Sequence, residues 1–280
     1  LADNCVVNKN RISLVHASSF SITGIYLAGS SGNVISSNKI GDCKGNGICA
    51  NNGGRTLNAA STDNKITGNI INNTLNDGIY IGTGSTGTVI SKNDVGVSNK
   101  SGIVVLDSKK CQVISNKVSD CRLDGIYLKN IGDTDIKSNN VTTVKRYGVQ
   151  VISSQLKSLY GNTITGNGNC GLRIVQSGIS GSQQNRLRNN GSSYAVYSRN
   201  STGSVLVRLP ASARITRNTA RITGTAAGGR RLTVYVVTKS GNKRIGQGNV
   251  TSRGRYSVSI PKQKKGTVLL LLLTDKYGNR

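Results

Sequence analysis

The sequence predicts an all-β chain, with a right-handed parallel β-helix of about eight coils over residues 1–204 and a small β-sandwich over 205–280. Three observations predict it: a turn-rich, helix-poor composition, a glycine motif that recurs at a nearly fixed period, and an asparagine that keeps the same beat. The chain of 280 residues holds 35 Gly but 2 Pro and no Met or Trp, and all 11 of its acidic residues are Asp. Glu and Met favour helices, whereas Asp, Asn and Gly belong to turns. Such a composition makes strands and corners and leaves little room for a long helix.

The motif is Gly-aliphatic-x-aliphatic. It begins at Gly24, Gly47, Gly78, Gly102, Gly125, Gly148 and Gly171, with a degenerate copy from Tyr194, at spacings of 23, 31, 24, 23, 23, 23 and 23. Asn38, Asn69, Asn93, Asn116, Asn139, Asn162 and Asn185 each stand nine residues before the next copy, and Asn10 stands fourteen before the first. Periods of 20–50 residues mean solenoids or arrays. The segments within each period are short, β-rich and bounded by Gly, Asn and Asp, without helical periodicity or a leucine-rich pattern. Stacked coils of three short strands follow, paired at ~4.8 Å with alternate side chains inward. The asparagines are expected to stack at a corner and hydrogen-bond from coil to coil. The motif glycine is expected where a corner needs positive φ or close packing.

On these residues, about 5–200, the chain resembles the parallel β-helix repeat family, which includes pectate lyases, polygalacturonases, alginate epimerases and bacterial surface proteins. The resemblance implies the fold; one fold of this kind carries many activities. After residue 205 the pattern changes to Arg221–Ala226, Leu232–Val236, Gly254–Pro261, Gly266–Leu269 and a closing Asp275-Lys276-Tyr277-Gly278-Asn279. This segment resembles the short bacterial Ig-like domains of surface proteins, which implies a spacer or stalk. The run Val268–Leu273 is too short for a membrane span and reads as a buried strand.

Charge breaks at the same place. Residues 1–204 carry 21 basic and 10 acidic side chains, and residues 205–280 carry 16 basic and one acidic, which sums to the net +26. Such a field attracts polyanions; solubility alone would also account for it. The six cysteines form no CxxC pair, and His16 is the single histidine, so neither a metal site nor a cofactor is expected. Cys43 and Cys121 share one corner column and Cys5 and Cys111 another, each pair too many coils apart for a disulfide. Most of the six are therefore expected as free, buried thiols.

Alternation turns the second residue after each motif glycine outward. That column reads Tyr26, Cys49, Tyr80, Val104, Tyr127, Gln150, Arg173, Tyr197. Lys100, Arg122, Lys129, Lys145 and Arg146 flank it. Tyrosine faces give a linear polymer flat contact area, and cations serve an acidic one. Equally, tyrosine stabilises strands and charges occupy solvated corners. Asp77 and Asp124 precede motif glycines two coils apart, ~9.6 Å by stacking. That distance lies near the upper edge for an inverting glycosidase pair, although Asp-Gly is also an ordinary turn. The catalytic signatures of polygalacturonases and of glutamate-bearing epimerases are missing from this chain, while a lyase with a Lys, Arg or Tyr base stays open. The 31-residue coil adds a loop within residues 51–61, of the kind that walls clefts in β-helix enzymes.

These readings predict a monomeric, secreted or wall-associated bacterial protein that binds glycan, an acidic polysaccharide, along the long face in an adhesive role. Two alternatives remain: a polysaccharide lyase or hydrolase, and a structural stalk whose basic end binds polyanions. The chain starts without Met or signal peptide and is expected to be a mature or excised piece of a longer protein.

Overall fold

In the computed structural model the described residues are 2–13, 22–52, 59–183, 185–191, 196–199, 212–216, 221–225, 231–238, 241–253, 255–261 and 269–274. His16 and most of the inserted loop, residues 53–58, lie outside them. Every element within them is a strand. From Val6 to Arg199 the strands form three parallel sheets, each with eight successive strands along its path, spanning about seven turns. The first sheet begins at Val6–Asn8, the second at Arg11–Ser13, and the third, the motif face, at Ile25–Ala28.

The core is built of stacks. Ile35, Ile66, Ile90, Val113, Ile136 and Leu159 pair in register from coil to coil on the first face, and all are fully buried. On the motif face the first and third residues after each glycine point inward: Ile79 with Ile81, Ile103 with Val105, Ile126 with Leu128. Burying each aliphatic side chain contributes about 1.5–3 kcal/mol. No single coil can bury its face without its neighbours, which is why the repeat must stack.

The corners explain the Asn, Asp, Ser and Gly content. Ser37, Gly68, Lys92, Ser115, Ser138 and Gly161, each just before a ladder asparagine, all have φ between 55° and 65°. Asp107, Asn130, Ser153 and Gln176, after the motif strand, are also left-handed, with φ between 47° and 53°. Polar or glycine residues tolerate this left-handed backbone best.

The asparagine ladder forms as expected. Asn116 Oδ1 accepts from the Asn93 N–H and Nδ2, both at 3.0 Å, while its own Nδ2 donates to Asn139 Oδ1 at 3.0 Å and to the Ile90 carbonyl at 2.9 Å. A serine column was not anticipated: Ser30, Ser61, Ser85, Ser108, Ser154 and Ser177 are all buried at the corner after the motif strand. The motif glycines answer to packing rather than to φ. A Cβ on Gly24 would stand 2.6 Å from both the Gly47 carbonyl and Ile40 Cγ2, and the later copies are equally crowded.

All six cysteines are free, five of them buried and Cys5 exposed. Cys43 pairs with Thr74, which bridges to Ser98 and then to Cys121, confirming one column with the two thiols three coils apart.

The strands from Ser212 to Thr274 form two three-stranded antiparallel sheets, the Ig-like sandwich. Ile222, Tyr256 and Val258 of one sheet and Leu232 and Val234 of the other are buried. The Val268–Leu273 run gives the strand Leu269–Thr274, whose side chains lie outside the described residues. Among the described residues no helix is long and apolar enough to cross a membrane.

Candidate functional site

The predicted outward column is in register throughout: Tyr26, Cys49, Tyr80, Val104, Tyr127, Gln150, Arg173 and Tyr197 are successive strand partners. It does not stand up as a ridge of tyrosines. Tyr26 and Tyr197 are exposed, Tyr80, Tyr127 and Arg173 are half-buried, and Cys49, Val104 and Gln150 are buried. The rings lie down over smaller neighbours. Tyr80 leans across Gly82, where a Cβ would meet its ring at 2.8 Å. Tyr26 reaches the next coil, its hydroxyl donating to Asn51 Oδ1 at 2.9 Å.

The two aspartates belong to a second ladder at the corner before the motif strand. The Asp77 N–H donates to Asn46 Oδ1 at 3.0 Å, and Asp77 Oδ1 accepts from the Ser101 N–H at 2.8 Å. The Asp124 N–H reaches Ser101 Oγ at 3.4 Å, and Asp124 Oδ1 accepts from the Tyr147 N–H at 3.2 Å. Each carboxylate therefore holds the main chain of the next coil, with Ser101 between the pair. Burial raises the pKa of both above the ordinary carboxylate value. It outweighs the Ser101 N–H and Lys100 at Asp77, and Arg146, the Tyr147 N–H and Arg173 at Asp124.

Around Asp124 the sequence-predicted residues converge. Arg146 Nε lies 3.6 Å from Asp124 Oδ1. With its amide nitrogen turned toward Asp124, buried Gln150 donates to Asp124 Oδ2 at 2.8 Å, and its oxygen accepts from Arg173 Nη1 at 2.5 Å. The Arg173 guanidinium lies between two rings, 5.3 Å from the centre of Tyr147 and 5.8 Å from that of Tyr197, and Arg146 stands 5.4 Å from Tyr147. Cation–π contacts of this kind fix the cations in place. Tyr127 shares the cluster, and burial followed by the Asp124 charge raises its pKa above the usual phenol value. A pocket of about 240 Å³ opens beside Arg173, lined by Tyr147, Asn169, Cys170, Arg173 and Tyr197. A larger hollow of about 570 Å³ lies on another corner among Lys109, Asn130, Gln155 and Gln176, and no aromatic ring lines it.

Lys129, Lys145, Lys100 and Arg122 are exposed around the cluster, Lys129 at the far end of the Tyr127 strand and the others on the preceding corner. Tyr26 and Tyr80 lie toward the other end of the face, and Asp77 stands two coils from Asp124. Sequence reasoning missed Tyr147, Asn169 and Cys170. The signal for Tyr147 is its place: an aromatic ring occupies a ladder position held by Asn46, Asp77, Ser101 and Asp124 in earlier coils. There the side-chain relay stops, and the ring is released to cover Arg173.

No curated protein matches the chain. Among solved structures it resembles the periplasmic alginate epimerase AlgG, with 17% identity and a TM-score of 0.51, over 68% of this chain and 45% of that one. It also resembles the enzymatically active domain of bacteriophage CBA120 tailspike protein 2, with 10% identity and a TM-score of 0.53, over 90% of this chain and 63% of that one. The chain thus spans less than two thirds of either, and identities this low establish the fold. A bacterial Ig domain model matches residues 208–280. Residues 2–201, with their eight-strand stacks and asparagine ladder, match the family described as periplasmic copper-binding protein (NosD), and the chain belongs to that family.

Proposed function

We propose that the motif face binds an anionic polysaccharide, in a protein that works on or outside the bacterial cell in an adhesive role. The observation that carries this reading is the cluster at Asp124: two guanidinium groups, Arg146 and Arg173, held by a buried carboxylate, a buried glutamine and the Tyr147 and Tyr197 rings. Two cations against one carboxylate leave a net positive site, already oriented to meet carboxylate or sulfate groups on a polymer. Tyr80 and Tyr127 extend flat contact area along the same column, and Tyr26 lies beyond them. Lys129 and Lys145 add positive field at the cluster's rim.

The test is titration calorimetry of the full chain against polygalacturonate and alginate, with neutral dextran as counter-probe. The triple change Tyr80→Ala, Tyr127→Ala, Arg173→Ala removes two aromatic contacts worth about 0.5–1.5 kcal/mol each and one charged anchor. Binding to the acidic polymers should weaken tenfold or more, with the far-ultraviolet circular dichroism unchanged. A triple variant that binds like the wild type sinks the site.

One observation favours an enzyme as the second reading: a carboxyl with a raised pKa, Asp124, beside a tyrosine and an arginine. In a lyase, Arg173 would neutralise a uronate carboxylate while a neighbouring base took the adjacent proton. Unsaturated product released by the wild type and lost in Asp124→Asn would place catalysis first.

The family's description names copper, and the donors here do not suit it. The chain has no Met and one His. Among the described residues no group of three or more His, Cys, Asp or Glu side chains comes together. Burial pushes the thiols of Cys49 and Cys121 up to about 12 and those of Cys111 and Cys170 to about 11, away from the thiolate form a metal needs.

A further inference from the structure

We propose that the outer face of the Arg221–Thr225 and Arg255–Ser259 sheet in the Ig domain is a docking surface for a linear polyol-phosphate polymer. The strands alternate cleanly. Ile222, Tyr256 and Val258 are buried, while Arg221, Arg255, Ser257 and Ser259 are exposed and Thr223 is half-buried. Arg221 pairs with Ser259, Thr223 with Ser257, and Thr225 with Arg255. The neighbouring strand Ser212–Thr216 continues the rows by register: Thr216 pairs with Arg221, Arg214 with Thr223, and Ser212 with Thr225. Each of the three cross-strand rows therefore holds one arginine and two hydroxyl residues, and none holds a carboxylate or an aromatic residue. Arg221 and Arg255 stand on adjacent strands, two rows apart. Their backbones are roughly 14 Å apart, from strand rise and sheet spacing.

The chemistry of this grid selects its partner. Guanidinium groups and hydroxyls offer hydrogen-bond donors, and the guanidinium fork matches phosphate. Residues 205–280 carry 16 basic side chains against one aspartate, so the domain cannot neutralise itself. The grid has no ring on which a nucleobase or a sugar would stack. A flexible chain of phosphodiesters joined by short polyols meets all three conditions. The surface is independent of the motif face, since it lies in a different domain and uses different residues.

The experiment measures binding of the full chain to a purified poly(glycerol phosphate), at several salt concentrations. The double variant Arg221→Ser, Arg255→Ser should weaken binding tenfold or more. It should also lower the log–log salt slope by about 1.5–2. Ser257→Ala with Ser259→Ala should weaken it a few-fold at unchanged charge. The charge-matched control Arg231→Ser, Lys243→Ser, two exposed cations of the opposite sheet, should change it less than twofold. An equal loss in that control would reduce the effect to a diffuse field and overturn the site. Double-stranded DNA or polygalacturonate binding as tightly, with the same loss in the double variant, would overturn the phosphate-polymer assignment. Retained circular dichroism and melting temperature in each variant separate these outcomes from misfolding.

Discussion

Asp124→Asn should disarm Arg173 without touching it. In the wild type, Asp124 Oδ2 accepts the Gln150 amide nitrogen, which turns the Gln150 oxygen toward Arg173 Nη1. An asparagine can keep one oxygen on the Tyr147 N–H, but it then presents an NH₂ group to Gln150. Gln150 must reverse, and its nitrogen then faces a guanidinium that has only donors to offer. Arg173 loses a hydrogen bond to a buried acceptor, worth about 1.5–3 kcal/mol because one partner is charged. The Tyr147 and Tyr197 rings still hold it, so part of that loss should reach the ligand. An affinity for polygalacturonate five- to thirtyfold below wild type is expected. Gln150→Leu, which also removes the acceptor, should give a similar loss, and the two changes together should cost little more than either alone. Additive losses would refute the relay.

The same variant has a pH signature. Burial raises the Asp124 pKa in the folded protein, so the native state holds its proton more tightly than the unfolded chain. The stability contributed by the group is full below the unfolded pKa and is lost as pH rises through the folded one. The amide that replaces it carries no such proton. Relative to the wild type, Asp124→Asn should therefore gain stability as pH rises from the acid range toward neutral, measured by urea unfolding followed by circular dichroism. A variant that loses ground with rising pH would mean that Arg146 and Arg173 outweigh burial.

Asn116→Ala removes four ladder bonds and strands the buried Asn93 N–H. At about 1–3 kcal/mol for the orphaned donor and about 1 for each of the other three bonds, the β-helix should lose roughly 4–6 kcal/mol in urea titration. Asn10→Ala, at the exposed end of the ladder, should cost under about 1 kcal/mol on the same scale, and equal costs would show that the ladder is not what stabilises the coils. Alkylation in denaturant without reductant should label all six cysteines, and native labelling should reach Cys5 alone; fewer than six adducts would reveal a disulfide.

The fold was legible because a solenoid writes its geometry into a period. Each coil meets the same constraints at the same place, so Gly78, Gly102 and Gly125 face the same crowding from the next carbonyl and from Val95, Val118 and Val141. The asparagine column was legible for the same reason. The serine column keeps the same period with an interruption at Ile131, but serine is common throughout this chain and its burial could not be read from identity. The motif glycine left two explanations standing in sequence, and the distance a Cβ would have to the neighbouring coil decided between them.

The site was only half legible, and the missing half is aperiodic by nature. The column rule placed Tyr127, Gln150 and Arg173 on one line correctly, because that is backbone register. It could not say that Gln150 would be buried and turned to relay Asp124 to Arg173, since side-chain direction depends on what the adjacent coils supply. The Asp-Gly turn reading and the site reading of Asp124 also prove compatible: one oxygen holds the Tyr147 N–H as a corner residue should, and the other is left to face Gln150. Asp77 has the same corner bond, but its partner is Ser101, through which the ladder continues, and the cation that acts on it is Lys100. The difference between the two aspartates is thus the coil that follows each. Where the next ladder residue is polar, the corner stays structural; where it is Tyr147, the relay ends and a charged site opens. In the proposed site a break in the repeat, rather than the repeat itself, is what sets the charged cluster apart.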